Sequence, residues 1–372
     1  MRDLEKAKQL FEKAMEPGTS LSNRDRVRMI RLVIEITGKL VKREPENIEA
    51  LELRAKALRI AKKYDEALET IEKILALDPV NKTAIRLKID ILRKKGRREE
   101  AYELAKKAVE EYGIKEVLAD MADMLSVMGR KEEAEKIARK FYREVKSDEA
   151  AETLAMILLA RGKVDEALKI LKKAIEENPN NYALLDLMAA ALRFKGRYEE
   201  ALKYANRALE LWPHNAMYWV EKSLILEGLG RYDEALRCYN IALRMDPENT
   251  TILYNKARLL SDLGRYKEAL KLYDRILSID PRDAMAWNSK GVVLRRLGKE
   301  EKALECYRRA VELAPNVFVP WRNLGICLIK LGRVDEGIKC LEKAISLAPN
   351  TAEGKFAREE MKKIIKQVKG KS

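Results

Sequence analysis

Eight glycines, each followed by a cation, recur at a nearly constant interval: Gly96-Arg97, Gly129-Arg130, Gly162-Lys163, Gly196-Arg197, Gly230-Arg231, Gly264-Arg265, Gly298-Lys299 and Gly332-Arg333. The steps are 33, 33 and then 34 residues, five times over. Six prolines (Pro179, Pro213, Pro247, Pro281, Pro315 and Pro349) run in the same frame at steps of 34. A period of this size repeats one supersecondary unit and does not build a single compact core. It restricts the chain to a solenoid in which each unit packs on its neighbours.

The stretch from Thr250 to Asp283 shows what the unit is. Leu253, Ala257 and Leu260 stand at i, i+4 and i+7, the apolar stripe of a helix. Gly264 ends that stripe, because glycine takes the left-handed conformation of a helix C-terminus without a Cβ penalty. Arg265 follows, a cation beside the negative end of the first helix. A second stripe runs through Ala269, Leu272, Tyr273, Ile276 and Leu277, and Pro281 stops it for lack of an N–H. Eight units place alanine where Ala269 stands, at Ala67, Ala101, Ala134, Ala167, Ala201, Ala235, Ala269 and Ala303, and a ninth has Gly337 there. Small residues at that place let the two helices of a unit cross closely.

The pattern Trp219…Tyr232-Asp233-Glu234-Ala235-Leu236…Tyr239…Ala242-Leu243…Asp246-Pro247 resembles a tetratricopeptide repeat, as does Trp287…Gly291…Leu294…Gly298…Ala303…Tyr307…Ala310…Pro315. Nine tandem copies are expected, at 48–81, 82–114, 115–147, 148–181, 182–215, 216–249, 250–283, 284–317 and 318–351. The resemblance implies an all-α fold, an α-α solenoid wound as a right-handed superhelix of helix-turn-helix repeats. The second and third copies are one residue short, and Gly113 and Lys146 stand where proline is expected, so a change of stacking angle is expected near 113–148. Residues 1–47 read as a degenerate capping repeat, with helices near 3–15 and 24–44 around Pro17-Gly18-Thr19-Ser20. Residues 352–372 read as a capping helix and tail, with Phe356, Met361, Ile364, Ile365 and Val368 on its covered side.

Composition narrows the function. No run of apolar residues is long enough to span a membrane, and the start Met1-Arg2-Asp3-Leu4-Glu5-Lys6 lacks the apolar core of a signal peptide. A cytoplasmic protein is expected. Charged residues make up 36% of the chain while glutamine occurs only at Gln9 and Gln367, a balance that suits a thermophile. Cys238, Cys306, Cys327 and Cys340 have no metal-ligand spacing, and three of them repeat at one place of the second helix, as packing residues do. His214 is the only histidine, no phosphate loop occurs, and the paired carboxylates such as Asp233-Glu234 sit at second-helix starts. No enzyme, cofactor or metal is expected.

The resemblance implies that first helices line a concave groove that takes a partner peptide or helix. The groove-facing side chains would come from the second, fifth, ninth, twelfth and thirteenth places of each repeat. Repeats one to three are charged there in both signs, with Arg59, Arg86, Asp90, Arg93 and Asp123 among them. Repeats four to six turn apolar, with Met156, Leu159, Ala190, Phe194, Met217, Val220 and Leu224. An apolar surface marks an interaction site, although such side chains also serve to pack neighbouring first helices, and both readings stand. Repeats seven to nine hold Tyr254, Arg258, Asn288, Arg295, Arg296 and Arg322, with Asn255 and Asn323 one place away as candidates to bond a peptide backbone. The residue set with which some family members grip a chaperone C-terminus is missing, and Arg322 and Asn323 are isolated fragments of it.

The formal net charge of +15 raises an alternative, an RNA-associated protein using the cations after each glycine as a basic edge. Against it, aromatic residues are only 6% of the chain and mostly occupy structural places. The favoured expectation is a non-enzymatic scaffold or adaptor that binds another protein through the groove.

Overall fold

The computed structural model describes residues 2–16 and 23–370, which form 21 α-helices and no strand. The expected turn Pro17-Gly18-Thr19-Ser20 lies outside the described residues. The chain forms two compact units, Met1–His214 and Asn215–Ser372.

The first unit holds α1 (Arg2–Met15), α2 (Asn23–Arg43), α3 (Ile48–Ile60), α4 (Tyr64–Leu77), α5 (Lys82–Lys94) and α6 (Arg98–Glu110). It continues with α7 (Leu118–Val127), α8 (Lys131–Val145), α9 (Asp148–Ala160), α10 (Val164–Glu177), α11 (Tyr182–Phe194) and α12 (Tyr198–Leu211). The second unit holds α13 (Ala216–Gly228), α14 (Tyr232–Met245), α15 (Thr250–Asp262), α16 (Tyr266–Ile279) and α17 (Ala284–Arg296). It ends with α18 (Glu300–Leu313), α19 (Phe318–Lys330), α20 (Val334–Leu347) and α21 (Ala352–Lys369). Within each unit the helices pack as consecutive antiparallel pairs, α3 on α4 through α19 on α20, and first helices also touch, as α9 touches α7 and α11.

Local chemistry sets each boundary. The first helices start at side-chain caps, where Asn47, Asn81, Ser147, Asn181, Asn215, Asn249 and Asp283 accept from backbone N–H groups of the opening turn. Each such cap stabilises its helix by about 1 kcal/mol. Gly264 sits at φ +75°; its N–H donates to Ser261 O at 3.1 Å, and that of Arg265 donates to Leu260 O at 2.8 Å. That pair of bonds is the left-handed cap that satisfies the last carbonyls of a helix. The eight alanines of the repeating place are completely buried.

In the first repeat the glycine place is held by Lys62, at φ +58°, with the same bonds from Lys62 N–H to Arg59 O and from Lys63 N–H to Leu58 O. A side chain in this region carries a steric cost that glycine does not. Lys62→Gly is therefore expected to raise stability by about 1 kcal/mol, read as a later midpoint in urea unfolding; an unchanged or earlier midpoint would refute it.

The expected departure near 113–148 takes a local form. Gly113 is left-handed at φ +65°, a short 3-10 turn spans Lys115–Val117 before α7, and Lys146 is left-handed at φ +51° after α8. At the C-terminus, α21 lays Ala357 and Met361 on Leu341 and Ala344. Phe356 corrects the sequence expectation, because it is exposed and Ala357 takes the covered position. The covered series 357, 361, 364–365 keeps helical phase, which turns residue 356 about 100° away.

Candidate functional site

The first-helix surface of the first unit begins as a lattice of ion pairs. Arg59 pairs with Asp90 at 2.9 Å, Lys94 with the same carboxylate at 3.0 Å, and Arg86 with Glu149 at 3.7 Å. Arg93 reaches Asp120 at 2.6 Å and also Asp123. Burial pushes the Asp120 carboxyl above its ordinary value, against the pull of Arg93. These groups already satisfy one another, so the stretch presents little net field.

Further along the unit the surface turns apolar. Met156 is 51% exposed and Phe194 60%, with the Arg193 guanidinium 4.7 Å from the Phe194 ring centre. Leu159 and Ala190 are half-buried. Val127 on α7 is 58% exposed, and the sequence reading passed over it although it shares the thirteenth place with Phe194.

In the second unit, Met217 is exposed and Leu224 half-buried, but Val220 is only 3% exposed. Val220 thus corrects the expected surface, since its side chain is spent on packing. Met285, at the second place of its repeat, is exposed and was missed. The polar residues form steps between neighbouring repeats. The Tyr254 hydroxyl and Ser289 Oγ are 3.0 Å apart, and Asn323 Nδ2 donates to Asn288 Oδ1 at 2.8 Å. Asn323 is 5% exposed and committed to that bond, which corrects its expected role toward a peptide backbone. The equivalent step would join Val220 to Asn255; valine offers no polar atom, and the half-buried Asn255 makes no side-chain hydrogen bond among the described residues.

Arg258 pairs with Glu227 at 2.5 Å and Asp262 at 3.3 Å, and Glu227 also accepts from the buried Tyr239 hydroxyl at 2.6 Å. Lys330 pairs with Glu300 at 3.4 Å. Arg295, Arg296 and Arg322 form no ion pair among the described residues.

The basic edge has a different construction from the one expected. Six of its arginines pair with the glutamate three residues on: Arg97 with Glu100, Arg130 with Glu133, Arg197 with Glu200, Arg231 with Glu234, Arg265 with Glu268 and Arg333 with Glu336, at 2.6 to 2.7 Å. Each arginine side chain ties down the first turn of the second helix that follows it, while its backbone N–H closes the end of the first helix. Hydrogen bonds from these arginines hold Glu133, Glu200, Glu234, Glu268 and Glu336 below the ordinary carboxylate range.

Cys238, Cys306 and Cys327 are buried, and burial pushes the Cys306 and Cys327 thiols up to about 11, far from thiolate reactivity at neutral pH. Among the described residues no helix is long and apolar enough to cross a membrane.

Known proteins supply the comparison. A tetratricopeptide-repeat model matches residues 38–82, 53–113, 187–250, 221–284 and 254–317, and a second model of that description matches 319–351. A model described as anaphase-promoting complex, cyclosome, subunit 3 matches 128–208. No curated protein sequence matches the chain. The structure of yeast Tom70 is similar at 14% identity and a TM-score of 0.57, covering 99% of this chain and 96% of that one. A tetratricopeptide repeat protein from Parabacteroides merdae ATCC 43184 is similar at 19% identity and a TM-score of 0.51, covering 66% of this chain and 98% of that one. At these identities the two structures speak for the fold alone. With alanine-lined helix pairs, a left-handed turn in each, and family models matching more than half of the sequence, this chain belongs to the tetratricopeptide repeat family.

Proposed function

We propose that the chain is a non-enzymatic scaffold of nine repeats between two capping elements, and that its first-helix surfaces hold a peptide or helix of a partner protein. The observation that carries this reading is the exposure of Met156 and Phe194, with Val127, on first helices of one unit. Large apolar side chains left in water on a built surface mark a contact site, and methionine adapts to varied partners. In the second unit, Met217, Leu224, Tyr254, Asn255, Arg258, Asn288, Arg295 and Arg322 are the remaining candidates for contact. Pairing of six edge arginines with their own glutamates weighs against the RNA alternative, which needs those cations free.

The test is capture of partners from host lysate, with nuclease present, by the native chain and by a Met156→Glu/Phe194→Glu variant. Both side chains are exposed, so the variant is expected to fold while losing its partner about 30-fold, as for loss of a central anchor. Equal capture by the two proteins would show that these side chains do not contact the partner.

A further inference from the structure

Positive charge is unevenly spread along this chain. Residues 250–372 hold 26 Lys and Arg against 15 Asp and Glu, an excess of 11 out of the +15 of the whole. In the first unit's lattice, by contrast, Arg59, Arg86, Arg93 and Lys94 all have carboxylate partners. In the second unit, Arg258 and Lys330 are paired, while Arg295, Arg296 and Arg322 have no carboxylate partner among the described residues.

Their placement is coherent. Arg295 stands two turns after Asn288 on α17, so both occupy one helix face. Asn288 bonds Asn323 on α19, the residue next to Arg322. The charge of Arg295 acts on the Tyr307 hydroxyl of α18 and on Cys327 of α19, so it lies over the junction of those helices. Arg322 Nε is buried without a hydrogen-bond partner among the described residues. Two repeats earlier the same arrangement is complete, because Glu227 accepts from the Tyr239 hydroxyl and pairs with Arg258. At the corresponding place Arg295 replaces the glutamate, and the Tyr307 hydroxyl has no hydrogen-bond partner among the described residues. Glu300 reaches the same Tyr307 and Cys327 groups and pairs with Lys330, but no carboxylate pairs with Arg295, Arg296 or Arg322 among the described residues.

We propose that the α15–α17–α19 face of the second unit binds an acidic peptide segment, whose Asp or Glu side chains pair with Arg295, Arg322 and Arg296 while Asn255 bonds its backbone. Arginine suits this role because its planar fork holds a carboxylate through two parallel hydrogen bonds. A peptide fits better than nucleic acid, since the Asn255 amide, unbonded among the described residues, matches a peptide backbone, and α15, α17 and α19 carry no exposed aromatic side chain on which bases could stack. The proposal rests on the reading that first-helix surfaces bind a partner, and it specifies the chemistry of that partner.

The experiment pans a displayed library of random peptides, about a dozen residues long, against the full chain. Parallel baits are an Arg295→Glu/Arg322→Glu variant and a Met156→Glu variant, each checked for unchanged helicity. Peptides retained by the native chain are expected to be enriched in Asp and Glu, to weaken about 30-fold on the double arginine variant, and to bind the Met156→Glu variant normally. Retained peptides without acidic enrichment, or with undiminished binding to the arginine variant, overturn the proposal. Peptides that ignore the arginines but are lost on Met156→Glu sink it while leaving the scaffold reading intact. No retained peptide at all, or binding of a single-stranded RNA oligonucleotide that the arginine variant abolishes, overturns both.

Discussion

Gly337→Val is expected to destabilise the end of the second unit by about 3 kcal/mol. In α20, Gly337 occupies the place that alanine holds in eight other repeats, and it faces Gly325 of α19. A Cβ on Gly337 would lie 2.8 Å from Gly325 O and 2.6 Å from Ile329 Cγ1. The reverse also holds, since a Cβ on Gly325 would lie 2.9 Å from Gly337 O. With two glycines at the crossing, the helices approach until backbone meets backbone, and a carbonyl oxygen, unlike the Ile329 and Leu341 side chains that also line the crossing, cannot turn aside. Valine adds branching that is stiff in a helix. Alanine is a milder probe, because its better helix propensity returns about 1 kcal/mol of the steric cost. Repeat arrays lose stability locally, so the readout is amide hydrogen exchange. Protection should fall in α19, α20 and α21 and persist in α15 and α16. Unchanged exchange in α20 would mean that the crossing has slack.

Glu135→Ala is expected to cost about 2 kcal/mol in the first unit, from the buried hydrogen bonds given up and the space left behind. Glu135 lies where the other repeats carry Leu68, Tyr102, Leu168, Leu202, Leu236, Leu270, Leu304 and Ile338. Its side chain is 8% exposed and accepts from Arg161 at 2.6 Å, Arg139 at 2.7 Å and Lys163 at 2.8 Å. Glu135→Leu restores the apolar pattern and should cost less, because leucine refills the buried space that alanine leaves; in either variant Arg161 keeps Glu132 at 2.9 Å and Arg139 keeps Glu166 at 2.6 Å. An apolar replacement of a buried charge is often close to neutral. Burial raises the Glu135 carboxyl, yet hydrogen bonds from Lys163 and Arg139 prevail and hold it below the ordinary 4.5. Its stabilisation is therefore complete above pH 4.5 and is lost as pH falls through the lowered value. Unfolding in urea at neutral and acid pH should show the native chain losing this increment while Glu135→Leu does not. Parallel pH profiles for the two would refute the assignment.

Much of the architecture was legible because the period carries it. A glycine and a proline once per unit, with an alanine between, state where helices end and where they cross. The same periodicity hid the exceptions. Lys62 keeps the left-handed turn without glycine, since the bonds of that turn outweigh one strained residue. The asparagine caps stood in plain view two places after the prolines, yet their role needs the helix starts to be known. The candidate surface was harder to read. Val220 and Asn323 have the right places for exposure, but inclusion in a packed step removed both, whereas Val127 and Met285 were left outside.

From the amino-acid sequence alone follow the repeat, the helix pair, the turn chemistry and the family, because these depend on contacts within about 34 residues of chain. Which cations are free was decided only by the tertiary structure. An arginine's partner stands 3 residues away in Arg97–Glu100, 31 in Arg59–Asp90 and 63 in Arg86–Glu149, and Arg295 has none among the described residues. The charge of a side chain is written in its letter, but its neutralisation depends on what the fold brings within about 4 Å of it.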